Sequence, residues 1–366
     1  MIKKLFSASL FLVVLTIVSC KKSGTSSNDS GIKTDSLYVS LSTNILEYNG
    51  FDYTKVIVKD KAGNDITSSC NLILDNSQVI KSNFTPTKTG SFKINAVYQQ
   101  IPSTVATLTV NSKSASPFTQ KVLLEDCTGT WCGYCPRAAD LIETYKSNHP
   151  NCISLAVHGG NSSDPFLFQY FSSFNSHFAM QGYPTVILNR KSEWSEDPAE
   201  IDALLTKWAP LGLSISSTIN NSNINGTVKV KFNVNTDKSL KIVVALVENG
   251  LVYPQTNYYS VGNLTPYLYG GADPVIDFVH NGVLRRTATN LFGDPVPATS
   301  QLKNNIYELP FSIPVTGNTA TGTYTANATK CGIIAYVCDA NNYGASNSLG
   351  ILNVQYADAG TVKNFD

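Results

Sequence analysis

The stretch that most constrains how this chain can fold is Val122-Leu-Leu-Glu-Asp-Cys-Thr-Gly-Thr-Trp-Cys-Gly-Tyr-Cys-Pro136. Its apolar start, Val122 to Leu124, predicts a buried strand, and the turn Thr128-Gly129-Thr130 ends that strand just before Trp131 and the pair Cys132 and Cys135. The pair opens a helical segment. Unpaired backbone N–H groups and the positive end of the helix dipole favour a thiolate at such a place, so Cys132 is expected to have a pKa within roughly 3.5–7.5. Cys132 is thus the candidate nucleophile. Cys135, one helical turn later, can close the disulfide and resolve a mixed disulfide formed at Cys132.

A structural zinc site would need a second pair of ligands at comparable spacing. The other cysteines are scattered, and His149, His158, His177 and His280 form no His-x(3–5)-His partner. Thiol redox chemistry is the better reading, with no metal and no cofactor expected.

Trp131-Cys132-Gly133-Tyr134-Cys135 resembles a thioredoxin active site, and Gly182-Tyr183-Pro184-Thr185 resembles the Gly-x-Pro-Thr segment of that fold, whose proline is cis. The resemblance implies that Pro184 faces the disulfide and that the backbone at Tyr183 pairs with bound substrate. It also implies a buried carboxylate six residues before the first cysteine, assisting proton transfer at the resolving thiol. That position is Asp126. Glu125 is the rival, because adjacent strand residues face opposite sides. The Gly133-Tyr134 dipeptide is similar to that of periplasmic disulfide isomerases.

Net charge is +1 with 14% charged residues, so there is no basic field for nucleic acid. Lys3 and Lys4 precede an apolar run, Leu5 to Val18, too short for the roughly 20 residues of a comfortable membrane span. The run ends in Ile17-Val18-Ser19-Cys20, which resembles a lipobox. A lipoprotein signal peptide over 1–19 is therefore expected, with Cys20 lipidated and residues 20–36 a flexible tether. Lys21 lacks the aspartate associated with inner-membrane retention, which favours an outer-membrane anchor facing the periplasm or the cell surface.

Short alternating apolar runs over 37–111, separated by turn signals, predict a β-sandwich that looks like a bacterial immunoglobulin-like module. Cys70 is its lone cysteine and reads as a small core residue. Asp60, Asn64 and Asp65 read as a solvated turn, the spacing of a cation loop being incomplete.

A Ser-rich linker leads to a central α/β domain over 118–211. Its expected order is the active-site strand, a helix over Pro136–Ser147, a strand over Ile153–Val157, a helix over Phe166–Met180, a strand over Val186–Leu188 and a helix over Pro198–Trp208 capped by Asp197. That order matches the thioredoxin core and brings Cys132 to the rim formed by the strand C-termini. His158, just after the second strand, is either a proton shuttle at that rim or a hydrogen-bonded loop histidine. Cys127 and Cys152 lie at opposite ends of parallel strands, beyond the ~7 Å reach of a disulfide.

Residues 212–366 predict a second, larger sandwich of roughly eight strands. Cys331 and Cys338 bracket one of them on opposite faces, about 23 Å apart, too far to pair. The phrases Val247-Glu-Asn-Gly-Leu-Val-Tyr-Pro-Gln255 and His280-Asn-Gly-Val-Leu-Arg-Arg286 resemble the Omp-twenty-eight-related outer membrane lipoproteins, over roughly residues 118 to 355. That family joins a thioredoxin-like domain to a β domain. Arg285 and Arg286 with the tyrosines of 253–269 are either a ligand surface or loop packing.

Two functions are expected from this reading. One is a lipid-anchored envelope thiol–disulfide oxidoreductase using Cys132, Cys135, Asp126 and Pro184, with Trp131, Gly133, Tyr134, Tyr183, Glu125 and His158 in support. Its partners would be envelope proteins with thiols or disulfides. The other is an outer-membrane binding or adhesion lipoprotein whose thioredoxin-like unit is a scaffold.

Overall fold

The computed structural model describes residues 35–366 apart from 221, 261–267, 320–321, 342 and 346–347. The expected signal peptide, the lipidation of Cys20 and nearly all of the tether lie outside the described residues. The chain is β-rich with few helices. Among the described residues, no helix is long and apolar enough to cross a membrane.

The N-terminal part forms two facing sheets, one of three strands built on Leu37–Leu41 and Thr54–Asp60, the other of six built on Gly90–Tyr98 and Ala106–Ser112. Alternation puts Val56, Val58, Phe92, Ile94 and Leu108 into a shared core while their neighbours face solvent, as half-buried strands require. Cys70 is half-buried, its thiol donating to Ile66 O. Asp60 binds the Asn64 backbone and amide, closing a tight turn.

The strand Val122–Thr128 is buried at every position. It pairs in parallel with Cys152–His158 (Val122 opposite Cys152, Thr128 opposite His158) and antiparallel with Thr185–Leu188. Three helices accompany these strands: α1 over Cys135–Asn148, α2 over Phe171–Phe178 and α3 over Pro198–Leu205, the last capped by the Asp197 side chain on Ala199 N. Helix α2 is shorter than its apolar pattern predicts. Asp164 captures Phe166 N, and Phe168 N donates to His158 O, so the segment before α2 is spent on loop hydrogen bonds; Ala179, in the left-handed region, closes the other end.

The expected division at residues 211 and 212 is crossed by a single sheet. Its order is Ser192–Glu193, Thr185–Leu188, Val122–Thr128, Cys152–His158, Val283–Thr287, Leu240–Glu248, Cys331–Asp339 and Ile351–Asp358, with Asp294–Pro295 beside Leu240–Glu248. The junction is a parallel bridge between Ala156 and Val283, fixed by Ala156 N donating to Gly282 O at 2.8 Å. One face of the far half of this sheet packs on a four-stranded sheet carrying Leu211–Asn220, Asn223–Phe232 and Ile306–Pro314, with Val228, Val230, Val244 and Ile333 between them. The other face, with Val243, Tyr336 and Val354, shares a core with Leu155, Phe174 and Phe178. The C-terminal sandwich and the α/β unit thus share a layer. Alternate residues of Cys331–Asp339 serve the two cores, which is why Cys331 and Cys338 lie in different ones.

Cys127 and Cys152 are buried and unpaired, one residue opposite Val157 and the other opposite Val122. Arg285 is buried, with Glu248 at 3.2 Å and its guanidinium 3.8 Å from the centroid of the Tyr324 ring, while Arg286 donates to Thr316 O. Both arginines are engaged in packing and pairing.

Candidate active site around the Cys132–Cys135 disulfide

Cys132 and Cys135 form a disulfide with their Cα atoms 5.4 Å apart. Cys132 lies in the turn after the buried strand, where its N–H donates to Gly129 O, and Cys135 is the first residue of α1, followed by Pro136 in the first turn. Proline fits there because that N–H has no partner in a helix anyway. The Tyr183–Pro184 peptide is cis. Trp131 ties this loop to the cysteine loop: its ring meets Tyr183 edge-on at 5.1 Å, and its indole N–H donates to Gly159 O at 2.9 Å. Gly160 sits between these rings at φ +76°, where a Cβ would come within 2.6 Å of Trp131 and 2.8 Å of Tyr183. Only glycine fits.

A strap from the C-terminal half covers the disulfide. Tyr258 N donates to Gly133 O at 2.8 Å, and Thr256 N to Thr130 O at 2.9 Å. The buried Gln255 amide donates to Cys132 O at 2.9 Å and to Gly129 O at 3.2 Å. Tyr258 lies against Gly133 so closely that a Cβ there would come within 2.4 Å of its ring, and Tyr134, exposed itself, meets Tyr258 edge-on at 5.0 Å. Cys132 is left 3% exposed and Cys135 1%. Nothing beside the cysteine pair in the sequence signals this occlusion. Its one signal was the Val247 to Gln255 phrase, which carries the strap residue Gln255.

Beneath the disulfide is a cavity of about 90 Å³, lined by Asp126, Cys135, His158, Gln255 and His280 among others. Asp126 is buried, its Oδ1 has no hydrogen-bond partner, and desolvation pushes its carboxyl up to about 7. Glu125 is not at this site. It faces the opposite side of the sheet, where Arg190 grips it bidentately at 2.8–3.1 Å and Tyr336 lies alongside. The guanidinium is 4.9 Å from the Tyr336 ring centroid and also lies over Phe178 and Phe292. Of the two carboxylates, the structure leaves only Asp126 beside Cys135.

His158 is the last residue of its strand, not a loop residue, and its side chain is fully buried. Its Nδ1 lies 3.0 Å from Asp164 Oδ2, and its Nε2 has no hydrogen-bond partner. Burial alone would raise the Asp164 carboxyl, but bonds from His158, Thr130 N and Phe166 N outweigh it and hold the group below its usual range. His280, 5.3 Å away ring to ring, is held down at about 4 by burial and then by His158. Asp164 has no signal in the sequence, and His280 stands there only as the start of the His280 to Arg286 phrase, not as a residue of this site. Among the described residues, no group of three or more His, Cys, Asp or Glu is placed to hold a metal.

Residues 171–363, more than half of the chain, match the family described as outer membrane protein Omp28. The chain belongs to the Omp28 family. Membership supports an outer-membrane location, and the matched span holds Pro184, the strap and His280 but begins after the two cysteines. Among solved structures, this Omp28 chain is similar to HBP35 of Porphyromonas gingivalis, with a TM-score of 0.50 and 15% identity over 67% of this chain and 76% of that one, a likeness of fold. A β-glucosidase from Kluyveromyces marxianus aligns at 9% identity over 85% of this chain and 45% of that one, with a TM-score of 0.21, which carries no structural weight. No curated protein matches.

Proposed function

We propose that this Omp28 chain is an envelope thiol–disulfide oxidoreductase, anchored to the outer membrane through lipid at Cys20, whose partners are envelope proteins carrying thiols or disulfides. The observation that carries the reading is the juxtaposition of the Cys132–Cys135 disulfide at a helix start with a buried, unpartnered Asp126 in the cavity behind Cys135. The cis Tyr183–Pro184 peptide and the strand–helix–strand–helix–strand–helix order support reading residues 118–211 as a thioredoxin-like unit.

In the reduced protein, the Cys132 thiolate attacks one sulfur of a substrate disulfide, forming a Cys132–substrate disulfide and releasing the first substrate thiolate. Cys135, once deprotonated, attacks Cys132 sulfur, and the second substrate thiolate leaves and takes up a proton. The substrate ends as a dithiol and the protein as its disulfide; a thiol reductant restores the dithiol. Isomerisation shares the first attack only; there a substrate thiolate, in place of Cys135, displaces Cys132, and the substrate keeps its oxidation state.

A Cys135→Ser variant is expected to accumulate mixed disulfides through Cys132 in envelope extracts, absent from a Cys132→Ser, Cys135→Ser control. No trapped partner, together with no insulin reduction by the native protein, would sink the reading. The 3% exposure of Cys132 favours a second reading, a binding or adhesion lipoprotein in which the disulfide braces the loop that the strap packs upon. A pulldown with the full chain carrying Cys132→Ser and Cys135→Ser tests it: partners retained without the thiols support this reading, and their loss overturns it.

A further inference from the structure

The cavity behind Cys135 holds two acid–base groups of opposite character. Asp126 has no hydrogen bond at Oδ1 and no counter-charge, so ionising it there is disfavoured. His158 is placed the other way round. Its Nδ1 is fixed by Asp164, a carboxylate already bound by Thr130 N at 2.8 Å and Phe166 N at 2.8 Å, while its Nε2 is buried and unpartnered on the residue that lines the same cavity as Cys135. A proton arriving at Nε2 makes an imidazolium paired with a carboxylate 3.0 Å away. This is the arrangement of a base oriented by a third group. Asp164 also holds Thr130, two residues before Cys132, so one carboxylate sets both the imidazole and the cysteine loop. The other charged or titratable neighbours are His280 across the ring contact, Glu143 from α1 and Tyr269 on the cavity wall, and Arg285 beyond Phe166. His280 Nε2 lies 3.2 Å from Tyr253 O, which only accepts, so its proton is committed to the strap.

We infer that His158, oriented by Asp164, accepts the proton of the Cys135 thiol when Cys135 resolves the mixed disulfide. The inference rests on the redox reading above and deepens it. At about 90 Å³ the cavity has room for a few water molecules at ~30 Å³ each, enough to carry the proton between side chains. The Cys135 S–H bond breaks and the proton passes to His158 Nε2. The thiolate then forms the Cys132–Cys135 bond as the bond from Cys132 to the substrate sulfur breaks, and the departing thiolate is reprotonated from the imidazolium through the same water. Asp164 is a positioning residue.

The test uses reduced full-length protein and an aromatic disulfide such as DTNB, whose two thiolate releases report attack by Cys132 and then resolution by Cys135. His158→Gln is expected to slow the second release about 100-fold, the ordinary contribution of a positioned base, and to remove one ionisation from its pH profile, with the first release unchanged. Asp164→Asn should slow the same step less and move the same ionisation. If both releases occur in the native protein and folded His158→Gln leaves the second release and its pH profile unchanged, the inference is overturned while the redox reading stands. If the native protein shows no first release, the redox reading itself fails. Should His158→Gln not fold, ¹⁵N signals of the imidazoles in the native protein decide: the inference expects the His158 Nε2 resonance to shift on reduction of the disulfide at constant pH, and an unmoved resonance overturns it.

Discussion

Glu125 and Asp126 are adjacent in one buried strand and have opposite electrostatic fates. Glu125 is clamped by Arg190 on one side of the sheet, and Asp126 is unpaired over the cavity on the other. The period of two along a strand does this: each residue is delivered to a different layer, and the layer decides whether the carboxylate meets a cation. A carboxyl without a partner in low dielectric is held toward its neutral form, and burial alone sets that direction for Asp126.

Asp126 makes folding stability depend on pH in a stated direction. Its folded-state pKa, about 7, lies above its ordinary 3.8, so its protonated form is the one the fold accommodates. Its contribution is intact below about pH 3.8 and is lost as pH rises through 7. An Asp126→Asn variant, neutral throughout, should gain on native protein by about 1.4 kcal/mol per pH step across that window, reaching on the order of 4 kcal/mol. Urea unfolding of both proteins at pH 4.5, 6 and 7.5 checks it; parallel stability curves would mean that the carboxyl is solvated.

Removing one member of the Glu125–Arg190 pair strands the other in the core. Arg190→Met should lower stability by about 3–5 kcal/mol, the usual loss for a broken buried pair, and Glu125→Gln by less because the amide still accepts from the guanidinium. Since the pair faces away from the cavity, the thiol reactivity of the folded fraction should be unchanged in both variants. Chemical denaturation and thiol titration on the same samples read the two effects separately.

The strap sets access to the disulfide. Gln255→Ala deletes hydrogen bonds to Gly129 and Cys132 carbonyls, each worth about 1 kcal/mol net, and Gly133→Ala drives a methyl into the Tyr258 ring. Each should raise the rate at which dithiothreitol reduces the disulfide, by about tenfold for every 1.4 kcal/mol of strap stability lost. Adding Tyr258→Ala to Gly133→Ala removes the clash but also the covering ring, so the double variant should stay fast. Identical rates in native protein and Gln255→Ala would show that exchange does not require the strap to lift.

Local chemistry was legible in the sequence; placement across the chain was not. The cysteine pair, the turn before it, the start of α3 at Asp197 and the alternating strands each carry their signal within a few residues. Helix α2 came out short because Asp164, a residue outside the apolar pattern, takes the hydrogen bonds that would have extended it. The strap, His280 and Val283, the far partner of the bridge to Ala156, lie more than a hundred residues from Cys132, and periodicity says nothing about what a loop will cover. His158 shows the same limit: its position after an apolar run was visible, but its burial depends on the strand carrying Val279 and His280.

The shared sheet predicts how the molecule comes apart. Cut at residues 211 and 212, the 118–211 fragment would expose the edge of Cys152–His158 and uncover Leu155, Phe174 and Phe178, whose core is completed by Val243, Tyr336 and Val354. An open edge beside an uncovered apolar face is an aggregation template, so this fragment alone should be insoluble or molten. A 118–366 fragment keeps every strand of the sheet and should unfold in one cooperative step. Residues 35–112 enclose a core of their own and should fold alone. Far-UV and near-UV circular dichroism on the three fragments, with urea titration, checks this. A sharp, native-like transition for 118–211 would show that the bridge at Ala156 joins two independent cores and that the α/β unit does not need the C-terminal strands.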